Sequence, residues 1–457
     1  MLLLIVVLPL AGGLTAWLVA RDRADRSRYV SVAFLALDLL LLIATAAGAA
    51  AGAPGRFLVE TRLPWVPGLG SSLHLGLDGL SLIMLGLTLV LGAVAVAASG
   101  PEAEARPGLY HLLLMATLSA LAGVFLAADL LVFFVAYEAM LVPAYLLVAR
   151  WGDPRLAPRA AATRFFVYTQ AGGLLLLVSI VGLGLLQARE PGSFSLDYPA
   201  LLERSVPLPA AAWLLAGLFL AFAVKLPLVP LHGWQADTYA AAPTGAGIVL
   251  AGLMAKAGGY GLVRLAVPLL PEAARLMAPW AMGLAVCTVL YGAVLALTQT
   301  DLRRFIAYSS MSHLGFVALG AFAGNDWGYR GAVVQMVSHG LSATGLFLLT
   351  AWIERGAGTR DLSVLRGAWR TGPRTRAFGL VLALATLGLP GLSGFVGEFL
   401  VLVGTFQVSP WLAAAASLGL VLSTAYTLRL VQLLLYGPDA GRAPIPDLTC
   451  RTAALAA

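Results

Sequence analysis

The chain has 457 residues, of which 60% are hydrophobic and 11% are charged, and its net charge is +7. Soluble domains usually carry about 25% charged residues, so this composition excludes a soluble enzyme, a disordered protein and a small disulfide-linked scaffold. The basic excess is typical of a multi-pass membrane protein, whose basic residues collect in cytoplasmic loops, and it does not require nucleic acid as a partner. Most of the surface is therefore predicted to face lipid.

Thirteen apolar stretches are long enough to cross a bilayer, which takes about 20 residues in a helix. In chain order they are 2–20, 29–51, 77–98, 109–127, 130–149, 163–187, 211–231, 244–269, 274–298, 302–323, 329–353, 376–405 and 409–436. The first lacks a basic leader segment and a convincing cleavage site, so we expect it to be retained. The runs do not alternate, which argues against a β-barrel. We predict an all-α polytopic membrane protein with about 13 transmembrane helices.

Arginine placement predicts the orientation of the chain. Loops after odd-numbered stretches, together with the tail, hold nineteen arginines, whereas loops after even-numbered stretches hold six. Basic loops remain in the cytoplasm. The N-terminus is therefore predicted to lie outside, and the C-terminus of this 13-span chain inside.

Two stretches contain helix-breaking residues. The seventh carries Pro227 and Pro230, and the twelfth carries Pro390 beside Gly391. Broken helices within a membrane occur where the freed backbone groups meet protein or a water-filled cavity. The breaks lie five stretches apart, which favours two repeated halves, a common design among transporters. We interpret Pro227, Pro390 and His232, which follows the first break, as hinge or auxiliary residues.

Seven ionisable residues lie near the middle of predicted spans, where a lysine or aspartate costs roughly 2.5–3.5 kcal/mol. They are Asp38, Glu138, Lys225, Lys256, His313, His339 and Glu398. Both lysines of the chain belong to this set, and a buried lysine, unlike an arginine, can release its proton. A carboxylate that moves towards or away from a lysine switches it between holding and releasing that proton. The set predicts a proton path, with structural ion pairs as the alternative interpretation.

The polar residues around these groups support a relay. His313 and His339 lie among serines and threonines, and imidazole exchanges protons near neutral pH; the alternative is a buried histidine that only hydrogen-bonds a helix carbonyl. Asp38 is interpreted as a helix–helix hydrogen-bonding group. Three further aspartates lie at span ends and are interpreted as caps or interface anchors: Asp78, Asp129 and Asp301.

The sequence contains no phosphate-binding loop, no dinucleotide-binding fingerprint and no metal-spaced cluster of histidines or cysteines. Cys287 and Cys450 are too few for a cysteine-ligated iron–sulfur cluster or a disulfide framework. We therefore predict no metal or cofactor site in this chain. The energy for moving protons against a membrane potential must then come from a partner protein or an ion gradient.

Five segments resemble the antiporter-like subunits of respiratory complex I, the proton-pumping NADH:quinone oxidoreductase. They are AVKLPLVPLHGW, APTGAGIVLAGLMAKAGGYGLVR, QTDLRRFIAYSSMSHLGFV, QMVSHGLSATGLFLL and LPGLSGFVGEF. The chain is most similar to the M type, equivalent to mitochondrial NADH dehydrogenase subunit 4, because sister subunits usually have lysine where this chain has Glu398. One departure is the segment 235–239, QADTY, where the family usually has Leu-Pro-Asp-Ala-His.

The resemblance implies two inverted five-helix repeats with broken helices at spans 7 and 12. The implied domains are 1–105 (spans 1–3), 106–270 (first repeat, spans 4–8), 271–437 (second repeat, spans 9–13) and 438–457, a short cytoplasmic tail or truncated fourteenth span. The implied proton-translocation residues are Glu138 as switch carboxylate, Lys225 as its paired lysine, Lys256 as central lysine, His313 and His339 as relay, and Glu398 as the end of the second half-channel.

The implied function is that of a proton-translocating membrane-arm subunit in a bacterial inner membrane, which couples quinone reduction in partner subunits to pumping. Those partners include sister antiporter-like subunits, and they would carry the FMN, iron–sulfur clusters and quinone. No redox centre and no nucleic acid are expected for this chain. Two alternatives remain open: a subunit of a multisubunit cation/proton antiporter, and the ion-pumping subunit of a membrane-bound hydrogenase or formate hydrogenlyase complex.

Overall fold

The computed structural model describes residues 1–19, 23–49, 56–188, 194–367, 372–436 and 447. The chain forms two compact units. Unit 1 comprises Met1–Lys225, Ala241–Val249 and Leu253–Met277, and unit 2 comprises Leu226–Ala240, Leu250–Gly252 and Ala278–Ala457. The predicted domain limits and the inverted repeat remain predictions. Apart from Asp447, the tail 438–457 lies outside the described residues, and so does Cys450.

Long helices dominate the described residues, as the continuous apolar stretches predict. The elements are α1 (Leu2–Val19), α2 (Ala24–Ala49), β1 (Val59–Val66), β2 (Ser71–Leu77), α3 (Gly79–Ala98), α4 (Pro107–Leu126), α5 (Leu130–Ala139), α6 (Leu141–Trp151), α7 (Pro158–Gln187), α8 (Tyr198–Leu202), α9 (Leu208–Lys225), α10 (Gln235–Ala241), α11 (Thr244–Val249), α12 (Ala255–Gly261), α13 (Val267–Leu269), α14 (Pro271–Thr298), α15 (Leu302–Phe322), α16 (Asp326–Ala357), α17 (Pro373–Leu387), α18 (Ser393–Val408) and α19 (Pro410–Tyr436). Two π-helical segments, Leu250–Met254 and Leu262–Ala266, flank α12.

Within the described ranges, twelve helical segments are long and apolar enough to cross a membrane. The predicted twelfth stretch is instead two helices, α17 and α18, of 15 and 16 residues. A count of thirteen crossings therefore remains a prediction. α2 begins at Ala24, earlier than its apolar core suggests, and Arg28 in its second turn donates to the Ser99 carbonyl at 2.7 Å. An apolar stretch marks only the uncharged part of a helix, so it does not predict the charged turns at the start of α2.

A β-hairpin that the sequence analysis does not predict precedes α3. Its strands β1 and β2 pair antiparallel, with Val59 opposite Leu77 and Val66 opposite Ser71. The outer strand is mostly exposed, and β2 is mostly buried. A two-stranded hairpin is marginal alone and needs packing for stability. The hairpin therefore depends on side chains from neighbouring segments.

Two aspartates fasten β2 to the loops beside it. The Ser71 hydroxyl donates to Asp129 at 2.9 Å, and burial raises the pKa of the Asp129 carboxyl above its usual value. His74 Nδ1 lies 2.5 Å from Asp197. Burial acts to raise the pKa of Asp197, but the His74 hydrogen bond and the charges of His74 and Arg62 outweigh it and leave that pKa lowered. Burial therefore decides the direction of the pKa shift at Asp129, whereas the partners His74 and Arg62 decide it at Asp197.

The predicted break at span 7 is confirmed. α9 ends at Lys225 and α10 begins at Gln235, and Pro227 and Pro230 lie in the turn between them. Proline has no N–H to continue a helical ladder. The backbone N–H of Val229, within this turn, donates to a threonine hydroxyl of α14 at 3.1 Å, so the break is stabilised by protein.

The predicted break at span 12 is also confirmed, between α17 and α18 around Pro390. Gly388 and Gly391 have φ angles of +77° and +100°, which glycine adopts without steric penalty. The Ser338 hydroxyl donates to the carbonyl of the first residue of α18 at 2.9 Å, and the Ser423 hydroxyl donates to that of the last residue of α17 at 3.3 Å. The Ser423 hydroxyl thus satisfies a carbonyl that the break frees at the end of α17.

Aspartates at helix starts behave as predicted, whereas Asp38 does not. Asp78, Asp129 and Asp301 accept backbone N–H groups in the first turns of α3, α5 and α15. Asp38 is 0% exposed, yet neither of its carboxylate oxygens has a hydrogen-bond partner among the described residues. Its interpretation as a helix–helix hydrogen-bonding group is wrong, because no group of the described residues lies within hydrogen-bonding distance and geometry of either oxygen.

Candidate functional site

Glu138 lies where α5 is interrupted. Pro143 has no N–H to donate to the Ala139 carbonyl, and α5 gives way to α6 at this point. The Glu138 carboxyl packs against Gly173 of α7, where an added Cβ would lie 2.2 Å from Oε1. Gln170, also on α7, hydrogen-bonds the carboxyl, and Oε1 has no hydrogen-bond partner in the described part of the chain. Glycine is therefore needed to seat this carboxyl.

Lys225, the last residue of α9, points its ammonium group at the residue before Glu138. Nζ donates to the Tyr137 carbonyl at 3.2 Å and lies 3.6 Å from the centre of the Tyr137 ring. Lys225 is 2% exposed, so this cation–π contact is largely shielded from solvent and correspondingly strong. The charges of Lys225 and Glu138 are close enough to interact. The predicted pair therefore includes Tyr137 as a third member.

Lys256 is fully buried in α12, between the two π-helical segments. Such widened turns frequently occur at functional sites. Gly261 lets α12 approach α9 closely, since an added Cβ there would lie 2.2 Å from the Phe222 ring. The Tyr260 hydroxyl donates to the Phe125 carbonyl of α4 at 3.0 Å. Lys256 is thus held on a tightly packed helix of unit 1.

In unit 2, Glu398 and the two histidines come together as one buried cluster. His313 Nδ1 lies 2.6 Å from Glu398 Oε1, and Gln335 Nε2 donates to the same oxygen at 3.2 Å. The Tyr426 hydroxyl lies 2.9 Å from His313 Nε2. The His339 ring centre is 6.2 Å from that of His313. These five side chains come from four helices, α15, α16, α18 and α19.

The cluster can carry a proton in either of two hydrogen-bonded arrangements. When Glu398 is ionised, His313 donates through Nδ1–H and accepts from the Tyr426 hydroxyl at Nε2. When Glu398 is protonated, it donates to Nδ1, and Nε2–H can donate to Tyr426. The second arrangement holds one more proton than the first: it forms when Nε2 gains a proton and the Nδ1 proton moves to Glu398 over 2.6 Å, with little movement of heavy atoms. The geometry therefore fits a proton relay.

The second helix break lies directly beside Glu398. An added Cβ on Gly388 would lie 2.7 Å from Glu398 Oε2, and this oxygen has no hydrogen-bond partner among the described residues. On the other side of α18, Gly397 allows close packing on Gln335, whose Oε1 would lie 2.6 Å from an added Cβ. The small residues of the LPGLSGFVGEF segment thus make room for the carboxyl and its partner.

The predicted auxiliary residues lie at the breaks and outside these hydrogen-bonded clusters. Pro227 and Pro390 lie within the two turns. The ring centre of His232 is 5.4 Å from that of Tyr291, and within the described ranges its Nδ1 has no hydrogen-bond partner. Their role as hinge or auxiliary residues remains a prediction.

The segment that departs from the family pattern, 235–239, forms the start of α10 and is fastened at two points. Tyr239 is 0% exposed, and its hydroxyl donates to the Leu250 carbonyl at 3.2 Å. Arg304 donates to Asp237 at 2.6 Å. An aromatic side chain and an ion pair therefore hold the segment, without the proline and histidine usual in the family.

Sequence reasoning missed three side chains of these clusters. Tyr137 and Gln335 lie near predicted residues, in YEAM and QMVSH, and Tyr426 lies within the apolar α19. The available signal was a polar side chain within an apolar span. Such a signal marks the residue but does not show which other residue it contacts. Within the described residues, no group of three or more His, Cys, Asp or Glu side chains is arranged to hold a metal ion.

The family model for the NADH:quinone oxidoreductase/Mrp antiporter transmembrane region matches residues 127–423, a range that contains the first cluster and all of the second except Tyr426. The chain belongs to this family. It is 41% identical to NADH-quinone oxidoreductase subunit M of Pseudomonas aeruginosa, over 98% of this chain and 90% of the relative. The predicted resemblance to antiporter-like subunits, and to the M type among them, is thereby confirmed.

Solved structures agree with this membership. A chain of respiratory complex I from Thermus thermophilus has a TM-score of 0.89 at 33% identity, covering all of this chain and 93% of its own length. A chain of the Mrp complex from Dietzia has a TM-score of 0.84 at 26% identity, covering all of this chain and 49% of its own length. Like other members, this antiporter-like subunit is a helical, multi-pass membrane protein.

Proposed function

We propose that this antiporter-like subunit is a proton-translocating membrane-arm subunit of an NADH:quinone oxidoreductase, and that it moves protons when partner subunits reduce quinone. One observation carries the proposal: beside each helix break, a carboxyl with a buried oxygen accompanies a base that can exchange a proton, Glu138 with Lys225 and Glu398 with His313. The partners are other membrane-arm subunits, including sister antiporter-like chains, and partner subunits hold the FMN, iron–sulfur clusters and quinone.

In unit 1, the switch is the position of the Lys225 ammonium group. On the Tyr137 carbonyl and ring, the lysine is held as a cation, while Glu138 Oε1 has no hydrogen-bond partner among the residues that the structure describes. A direct ion pair at about 4 Å is worth roughly 4 kcal/mol at an effective dielectric constant near 20. Movement of Glu138 towards or away from Lys225 would therefore decide whether the lysine keeps its proton or passes it towards Lys256.

In unit 2, protons pass along hydrogen bonds already in place. The Tyr426–His313–Glu398 chain offers a hydroxyl, an imidazole and a carboxyl in succession. The His339 ring lies beside the His313 ring. Glu398 is the exit group, with an oxygen beside Gly388 at the break. A carboxyl in this place, instead of the lysine usual in sister subunits, supports the M type.

The test is coupled pumping by the intact complex in vesicles, with Lys225 replaced by alanine or arginine. Both variants should retain NADH oxidation and lose most protons pumped per NADH, because alanine has no charge and arginine does not release its proton. Trp213, on the same helix and 82% exposed, offers a control: Trp213→Ala should pump normally. Unimpaired pumping by Lys225→Ala would contradict the assignment.

A multisubunit cation/proton antiporter is the second candidate, favoured by the similarity to the Mrp complex chain. The proteins that co-purify with this chain separate the two. Flavin and iron–sulfur subunits would support the oxidoreductase, whereas small antiporter subunits without redox centres would support the antiporter.

We also propose thirteen crossings of a bacterial inner membrane, with the N-terminus outside and the C-terminus inside. The nineteen-to-six distribution of arginines supports this orientation. Reporter fusions provide the test: a fluorescent protein should fold after odd-numbered spans, and alkaline phosphatase should be active after even-numbered spans. The reverse pattern would contradict the orientation.

A further inference from the structure

The face of α2 that packs against α1, α3 and α4 is largely polar. Its buried residues are Ser27, Ser31, Leu35, Asp38, Leu42 and Thr45. The opposite face exposes Leu37, Leu40 and Ile43. With a rise of 1.5 Å per residue, the buried stripe from Ser27 to Thr45 extends over about 27 Å, close to the thickness of a bilayer core. The stripe lies apart in sequence from both clusters described above.

Asp38 is the ionisable member of this stripe, and it is 0% exposed. Within the described residues, neither carboxylate oxygen has a hydrogen-bond partner. An ionised carboxylate in such surroundings costs several kcal/mol even after relaxation. A neutral carboxylic acid without a partner costs less, about 1–3 kcal/mol. The carboxyl is therefore protonated in this conformation.

The helices packed on α2 offer Asp38 no counter-charge. α1 and α3 contain no titratable side chain, and α4 contains only Tyr110 and His111, near its start. The nearby charges of α2 itself lie in its first two turns, and those of β1 are Glu60 and Arg62 in the hairpin. Because these helices supply no counter-charge, Asp38 becomes neutral by binding a proton.

The start of the stripe carries further polar groups that can exchange protons. His111 is 0% exposed, and its Nδ1 bonds to the Ser27 hydroxyl at 2.8 Å and to the Pro107 carbonyl at 2.9 Å. In the described part of the chain, neither His111 Nε2 nor the Ser31 hydroxyl has a hydrogen-bond partner. Polar groups therefore occur along the stripe from Ser27 to Asp38, about 16 Å along the helix, with Leu35 between Ser31 and Asp38.

We infer that Asp38 is a further proton-binding site of this subunit, separate from the Glu138–Lys225 and Glu398–His313 clusters, and that it gains and releases a proton during turnover. Binding forms the carboxyl O–H bond, and release leaves the carboxylate. A group that remained neutral throughout would incur the cost of an unpartnered polar group in a place where leucine would pack. Exchange of the proton explains why a carboxyl occupies this position.

Infrared spectroscopy of the intact complex tests proton binding without relying on the proposed function. The spectrum of wild type minus that of Asp38→Asn should contain, at neutral pH, the carbonyl band of a protonated carboxylic acid, shifted when aspartate is labelled with ¹³C. The band should be the same in sodium and potassium buffers. Absence of the band overturns the inference, and its loss on adding Na⁺ would assign a cation site instead.

Pumping tests proton exchange. Asp38→Asn preserves the neutral shape, so a purely structural role predicts normal pumping, whereas proton exchange predicts fewer protons pumped per NADH with oxidation retained. Thr45 lies on the same stripe, and its hydroxyl donates to the Leu41 carbonyl of its own helix at 2.7 Å; Thr45→Val should therefore pump normally. Wild-type coupling in Asp38→Asn overturns the inference.

Two further comparisons keep the result interpretable. If Asp38→Asn does not assemble, Asp38→Glu, which retains the acid, should assemble with a shifted band, and an assembled glutamate variant without a band overturns the inference. Lys225→Ala in the same preparation tests the proposed function separately. Normal pumping by Lys225→Ala together with an Asp38 band would reject the proposed function and leave the proton site standing.

Discussion

The two helix breaks carry different chemistry, although each places a carboxyl beside a base. At the first, Lys225 contacts a carbonyl and an aromatic ring, and Glu138 lies in a separate glycine-lined seat on α7. At the second, Glu398 is bonded directly to His313 at 2.6 Å, with Gln335 and a tyrosine completing the chain. Under the proposed function, the first arrangement would change state when a charge moves, and the second when a proton moves along a hydrogen bond.

This difference has an electrostatic reason. A lysine cation separated from its carboxylate needs another favourable contact, and the face of Tyr137 supplies one without a formal charge. A histidine can remain neutral and still both donate and accept hydrogen bonds, so His313 needs no counter-charge to lie deep in unit 2. The Lys225 site is therefore suited to respond to distant charges, whereas the His313 site is suited to pass protons along its hydrogen bonds.

Removing the acid at the second break should have the largest effect. Glu398→Gln retains the shape and a hydrogen bond to His313 but has no proton to exchange, so it should lose most coupled pumping and remain assembled. Glu398→Leu should also destabilise the subunit, by about 1–3 kcal/mol for each buried donor left unpaired. Both effects are measurable in vesicles and by thermal unfolding of the complex.

A neighbouring residue provides the control for this substitution. Phe399 follows Glu398 on α18 but is 50% exposed, and Phe399→Ala should leave pumping unchanged. If Glu398→Gln pumps as well as wild type, the short hydrogen bonds are only structural, and the contrast between the two breaks disappears.

Replacing the Tyr137 ring, which lies against the Lys225 ammonium group, should have an intermediate effect on pumping. Tyr137→Leu removes a desolvated cation–π contact worth about 2 kcal/mol, so coupled turnover should fall by roughly thirtyfold, as about 1.4 kcal/mol corresponds to a factor of ten. Tyr137→Phe retains the ring, and the tyrosine hydroxyl has no hydrogen-bond partner in the described residues. The phenylalanine variant should therefore behave like wild type, and equal loss in both variants would refute the cation–π role.

The His74–Asp197 pair of the hairpin lies outside the spans. We expect its disruption to have the smallest effect on pumping. Asp197→Asn should lower the opening free energy of the hairpin amides, measured by hydrogen exchange, by about 1.5–3 kcal/mol, the value of a charged hydrogen bond. The pKa of Asp197 is lowered on folding, so its stabilisation is present above the ordinary pKa of 3.8 and is lost as pH falls through the folded value.

The pH dependence distinguishes this pair from the relay. Wild-type hairpin protection, corrected for intrinsic exchange, should be constant near neutral pH and decline only in acid, and Asp197→Asn should remove that decline. Pumping should be close to wild type in the variant. A pumping defect as large as that of Glu398→Gln would show that the hairpin pair belongs to the proton path.

Local sequence predicted the spans and both breaks because long apolar runs and prolines act within one helix. The six residues that we propose for proton translocation were selected by the same reasoning, since an ionisable group in an apolar run is conspicuous. The β-hairpin was missed because Glu60, Arg62 and Pro64 make β1 resemble a polar loop. Tyr137, Gln335 and Tyr426 were missed because their contacts join residues up to 113 positions apart, and no local pattern encodes such a pairing.

The sequence by itself determined that this protein lies in lipid, where its helices run, and which charges need an explanation, because composition and hydrophobic length act residue by residue. Only the tertiary structure decided what each charge contacts: Lys225 on the Tyr137 ring, Glu398 on His313, and Asp38 without a partner in the described chain. The reason is physical: the energy of a buried charge depends on the few atoms around it, and helices distant in sequence supply those atoms.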